Sequence, residues 1–128
     1  MRRKIIAGNW KMHMLQEPGA ELAKAIVPVA KAHPHVDVVV CPPYTVIAAV
    51  RGVVEGTAVA LGAQDVFWKE KGAYTGQVAP SMLVDAGVTY VIVGHSETRG
   101  RCGVPEPDFD ETILRHFGEN DKTVNLKI

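Results

Sequence analysis

Four short apolar runs recur along the chain: Lys4 to Gly8, Val36 to Cys41, Ala58 to Ala63 and Tyr90 to Gly94. They are rich in β-branched residues and nearly continuous, instead of alternating apolar with polar. That pattern predicts strands covered on both faces, as in a parallel sheet. Helical periodicity fills the intervals. Pro18 to Ala32 puts Leu22, Ala25, Ile26 and Val29 on one stripe, with Pro18 suited to an opening turn. Pro28 offers no N–H to the carbonyl of Lys24, so a kink or an early end is expected there. Thr45 to Val54 closes at Gly56, and Ser81 to Ala86 closes at Gly87, each glycine placed to end a helix. Strand and helix alternate throughout. The expected class is α/β, built from parallel βα units with right-handed crossovers.

Two segments interrupt the rhythm. Asp65 to Ala79 is a long loop carrying Phe67, Trp68 and Tyr74 among glycines. Loops of that length are functional or disordered, and the aromatic content argues against disorder. From Arg99 a turn-rich connector passes through Gly103-Val104-Pro105-Glu106-Pro107 into a helix expected over Asp108 to Phe117. Asp108 would cap it, Phe109, Ile113, Leu114 and Phe117 would form its packing face, and Gly118 would end it. A further helix starts near Asn120 or Asp121, with Val124 and Ile128 four apart. No internal repeat or low-complexity tract stands out.

Composition narrows the function classes. At 128 residues the chain suits one ordinary domain with its own core. Fourteen basic side chains balance fourteen acidic ones, which argues against nucleic-acid binding by bulk charge. No apolar stretch approaches the length of a membrane-spanning helix. The basic start, Met1-Arg2-Arg3-Lys4, precedes an apolar stretch broken at Gly8-Asn9 and Lys11, so no signal peptide is expected. Cys41 and Cys102 lack ligand spacing, which argues against a metal site or a disulfide framework and fits a reducing, cytoplasmic setting.

The candidate chemistry lies where apolar runs end. Lys11 follows the first run in Ala7-Gly8-Asn9-Trp10-Lys11-Met12, and a His-Ser-Glu follows the fourth in Tyr90-Val91-Ile92-Val93-Gly94-His95-Ser96-Glu97. In a parallel βα sheet both clusters emerge on the face where α/β folds place their active sites. A lysine charged at neutral pH and an imidazole able to donate to a developing oxyanion suit chemistry on a small anionic carbonyl compound. No candidate for a strong, buried carboxylate base accompanies them, so they read as part of a site. No G-x-G-x-x-G follows any strand, which sets a nucleotide-binding sheet far behind.

Together these motifs resemble triosephosphate isomerase. Ala7-Gly8-Asn9-Trp10-Lys11-Met12 is similar to that family's opening signature, and Cys41-Pro42-Pro43 to its second strand end. Gly62-Ala63-Gln64-Asp65-Val66, with Gly72-Ala73-Tyr74-Thr75-Gly76, resembles its third strand and long dimer loop. Tyr90 to Glu97 followed by Arg99 resembles its fourth-strand motif, and the Arg99 to Gly118 connector matches least well. The resemblance implies parallel βα units forming the N-terminal half of a (β/α)8 TIM barrel, over 1–128 as a single unit. It implies a cytoplasmic homodimer of glycolysis and gluconeogenesis that interconverts two triose phosphates without cofactor or metal. Asn9 and Lys11 would bind substrate, His95 would polarise its carbonyl, and Glu97 would pair with Lys11. Thr75 would reach into a partner's site from the loop bearing Phe67, Trp68 and Tyr74. The family's catalytic glutamate, lid and phosphate nest belong to later strands and loops.

Two positions depart from the family pattern. Gln77 and Thr98 stand where members commonly carry a glutamate and an arginine paired across the dimer. Losing both charges together avoids leaving one buried and unpaired. With the catalytic glutamate, lid and phosphate nest assigned by resemblance to later strands and loops, the 128 residues alone are expected to have little or no isomerase activity, and to self-associate or to join a C-terminal half. The alternative is a non-catalytic, self-associating half-barrel scaffold.

Overall fold

A computed structural model describes residues 2–99 and 119–128. The helix expected over Asp108 to Phe117, its apolar face and Cys102 lie outside those residues. Two compact units are present, one running to Val91 and one from Ile92.

The first unit contains β1 (Lys4–Asn9), α1 (Gln16–Ala32), β2 (Val36–Cys41), a 3-10 turn (Tyr44–Val46) leading into α2 (Ile47–Val54), β3 (Val59–Ala63), α3 (Pro80–Asp85) and β4 (Tyr90–Val91). All strand pairs are parallel and the order is β1-β2-β3-β4. A doubly wound sheet reverses its order at a switch point, whereas sequential parallel strands are the wall of a barrel. The four strands form half of a (β/α)8 barrel.

Burial explains the unevenness of the strands. Val39, Val40 and Cys41 of β2 and Leu61 and Ala63 of β3 are buried, together with Val46, Val50 and Ala23 from the helical layer. Among the described residues β1 pairs with β2 alone, and its Ile5 and Ile6 are 55% and 64% exposed. β4 is shorter than the apolar run that predicts it. Its ladder pairs Gly62 with Tyr90 and Ala63 with Val91, and Ala63 is the last residue of β3.

Helix α1 does not end early at Pro28, and it buries a different face from the one expected. It continues through Pro28 to Ala32 without the early end that a missing N–H suggests. Pro28 is exposed while Ala30 beyond it is buried, so packing continues past the lost bond. The carbonyl of Val29 meets His33 Nδ1 at 2.9 Å, which satisfies one of the orphan acceptors at the helix end. The buried face is Gly19, Ala23 and Ala30, not the predicted Leu22–Ala25–Ile26–Val29 stripe. Close approach decides this: a Cβ on Gly19 would lie 2.6 Å from Val46 Cγ1, so small residues face inward.

The second unit holds α4 (Asp121–Lys127), beginning where the sequence places it. Asn120 caps it: its side chain accepts from the Thr123 N–H at 3.1 Å, and Thr123 Oγ1 accepts the Asn120 N–H at 2.9 Å.

Candidate active site

In the first unit the site begins where β1 runs out. The Trp10 N–H still donates to the Cys41 carbonyl, 3.1 Å away, and the chain then turns. Lys11 takes a left-handed backbone at φ 55°. For a residue with a side chain that conformation costs about 1–3 kcal/mol and survives only where neighbours hold it. Here both sides of the residue are held. The Lys11 N–H donates to Asn9 Oδ1 at 2.9 Å, an Asx turn, and the Lys11 carbonyl accepts from Gln64 Nε2 at 2.8 Å. Gln64 Nε2 also donates to the Cys41 carbonyl at 2.9 Å, so one amide joins the ends of β1, β2 and β3. Lys11 itself is exposed.

The long loop stays with this unit. Phe67 stacks on Trp68 at 4.1 Å and on Tyr74 at 4.6 Å between ring centroids. Its root is tied by Tyr44, whose hydroxyl donates to the Asp65 carbonyl at 2.6 Å. Burial, and secondarily the Asp65 charge, push the Tyr44 phenol above its ordinary pKa. Thr75 lies exposed beside Gly76, a glycine with left-handed φ. Burial likewise raises the Cys41 thiol.

In the second unit the chain after Gly94 makes a turn closed by the Arg99 N–H on the His95 carbonyl, 3.1 Å, and by Thr98 Oγ1 on the same oxygen, 2.8 Å. The Glu97 N–H donates to His95 Nδ1 at 3.1 Å. A backbone N–H can only donate, so Nδ1 keeps its lone pair and the proton of the neutral ring sits on Nε2. Glu97 Oε2 lies 3.5 Å from the same Nδ1, and a carboxylate there favours a proton on that nitrogen. The two contacts compete for one atom, and we assign the tautomer from the shorter one, the N–H at 3.1 Å against the carboxylate at 3.5 Å.

A second carboxylate supports this turn from behind. Glu119 Oε1 accepts the Gly94 N–H at 3.1 Å, while its Oε2 meets Lys127 Nζ at 2.7 Å. The side chains of Lys127 and Glu119 are only 4% and 5% exposed.

Each predicted residue is thus placed within its own unit: Asn9 with Lys11, His95 with Glu97, and Phe67, Trp68 and Tyr74 as one ring cluster. Gln64 was a missed member. It stands one residue past the third apolar run, the same rule that singles out Lys11 and His95. Glu119 carried no local signal, because its bond to the Gly94 N–H joins residues 25 apart in sequence, and Lys127 enters only through Glu119. Among the described residues no cluster of three or more His, Cys, Asp or Glu is placed to hold a metal, and no helix is long and apolar enough to cross a membrane.

Comparison with known proteins converges with this geometry. A family profile described as triosephosphate isomerase matches residues 4–128. The triosephosphate isomerases of Thermoanaerobacter pseudethanolicus and Moorella thermoacetica are 45% and 46% identical over the whole of this chain, which spans 45% of each of them. A crystal structure of triosephosphate isomerase from Bartonella henselae superposes with a TM-score of 0.69 at 34% identity, covering 77% of this chain and 40% of that one. The chain spans about half the length of the curated relatives it matches. Sequential parallel strands, polar clusters where strands end and a family match across nearly every residue lead to one conclusion: the chain belongs to the triosephosphate isomerase family.

Proposed function

We propose that this chain carries the lysine and histidine half of a site that interconverts dihydroxyacetone phosphate and glyceraldehyde 3-phosphate by proton transfer. The observation that carries the reading is the Glu97 N–H on His95 Nδ1. It makes the ring a neutral Nε2–H donor, suited to polarising a carbonyl as negative charge develops on its oxygen. Triosephosphate isomerase is itself the standard worked case of a neutral histidine acting with a glutamate base, so this role comes to His95 from the family. Lys11 supplies fixed positive charge toward the enediolate and phosphate, and Asn9 sets the Lys11 turn and contacts substrate.

The reaction needs a positioned base. By resemblance that base, the lid and the phosphate nest come from the later half of the barrel. By resemblance the Glu97 carboxylate pairs with Lys11 instead. The 128 residues alone then have little or no turnover, and a separately supplied C-terminal half completes the site. Isomerisation assayed on the purified chain, before and after adding the C-terminal half of a relative, tests this. Turnover appearing only in the mixture is expected. Turnover near a normal enzyme's from the chain alone, abolished by His95→Ala, would show the reading wrong.

A second reading, self-association of a non-catalytic half-barrel, is favoured by one observation: the exposure of Ile5 and Ile6 on the outermost strand. The ring cluster of Phe67, Trp68 and Tyr74, with Thr75 beside it, would add a second contact surface. Either reading suits the cytoplasm, where the buried Cys41 thiol stays reduced.

A further inference from the structure

The Gly94 peptide, immediately before His95, is gripped on both sides. Its N–H donates to the buried Glu119 carboxylate at 3.1 Å, and its carbonyl accepts Arg99 Nε at 2.9 Å. Both grips are anchored to α4. Arg99 Nη1 reaches Asp121 Oδ1 at 2.6 Å. Glu119 Oε2 takes Lys127 Nζ at 2.7 Å and Thr123 Oγ1 at 3.3 Å. Gly94 sits at φ 67°, and a Cβ there would lie 2.8 Å from Val124 Cγ2, so α4 rests directly on this peptide. Burying a carboxylate and an ammonium is expensive, and a pair used only to attach a helix end is replaceable by apolar side chains. The apolar pair lacks one thing that the carboxylate has, which is an acceptor for the Gly94 N–H.

We infer that Glu119 is a positioning residue for His95: its carboxylate fixes the Gly94 peptide, and with it the imidazole that the turn presents. The inference rests on the proposed electrophilic role of His95 for its functional meaning, though not for its test.

The test needs no turnover. In the unaltered chain, labelled with ¹⁵N, the Gly94 amide is expected to exchange slowly with solvent, and His95 to give nitrogen shifts of the Nε2–H tautomer. Exchange of Gly94 at the rate of an unbonded loop amide would overturn the proposal without any variant. Two variants then separate positioning from simple attachment. Glu119→Gln with Lys127→Met removes both charges and keeps the acceptor. Glu119→Leu with Lys127→Met removes the acceptor as well. The glutamine variant is expected to retain Gly94 protection and the His95 signature. The leucine variant is expected to lose protection by about tenfold or more and to shift His95 toward a mixture of tautomers. Native His95 signals in both variants, or equal loss in both, would contradict the assignment. An intact clamp in a chain that never supports isomerisation would refute the proposed reaction alone.

Discussion

At the scale of residues, the site is held by side-chain amides and hydroxyls acting on backbone. Gln64 is the clearest case, since one amide serves the carbonyls of Lys11 and Cys41 and keeps Lys11 in its left-handed turn. Gln64→Leu should destabilise the fold by about 1–3 kcal/mol, because the Lys11 and Cys41 carbonyls both lose the Gln64 amide, with the Trp10 N–H remaining on the latter, and urea unfolding would register it. Tyr44 gives a pH prediction. Its phenol holds its proton more tightly folded than unfolded, so its contribution is full below the ordinary tyrosine range. As pH rises above about 10 the unfolded chain releases the proton first, and stability falls toward the raised folded value. Tyr44→Phe should flatten that alkaline decline in urea midpoints while lowering stability near neutrality by about 1 kcal/mol for the lost bond to Asp65. A midpoint whose alkaline slope is the same in both proteins would count against the raised phenol.

At the scale of elements, period and end signals were legible where local physics rules. Strand β2 and the start of α4 coincide with their apolar and capping patterns, and Gly56 and Gly87 end α2 and α3 with left-handed φ as a C-terminal glycine should. The misses are tertiary. The inward face of α1 is set by how closely Gly19 approaches Val46 and Trp10, which no helical wheel of the chain reveals. The end of β4 coincides with that of β3, a register that the apolar run alone does not reveal. The same limit applies to the site: Lys11 and His95 were legible as polar residues closing apolar runs, whereas the Glu119 bond to Gly94 depends on contact between segments separated by the connector. Gly19 makes the packing claim testable. Gly19→Ala should destabilise by about 1–3 kcal/mol despite its better helix propensity, since the added methyl meets a branched side chain that cannot swing away. A stabilised variant in urea unfolding would mean that α1 has room at this contact.

At the scale of the whole molecule, the sheet has an outer strand, β1, whose isoleucines are largely in water. Burying each such side chain is worth roughly 1.5–3 kcal/mol, and an unpaired strand edge adds a row of backbone groups seeking partners. The chain is therefore expected to self-associate at micromolar concentration, and light scattering over a dilution series checks it. A monomer that binds no hydrophobic dye would contradict this.

The central claim is that His95 and Lys11 supply one half of an isomerase site, and steady-state kinetics of the chain mixed with a C-terminal half tests it most directly. With His95 intact, turnover should rise as the halves associate. His95→Gln in the same stable complex should lower kcat by about 10²–10³-fold, as loss of one oxyanion donor does, with little change in KM. A complex of equal stability that turns over equally well with His95→Gln, or that never turns over at all, would contradict the account.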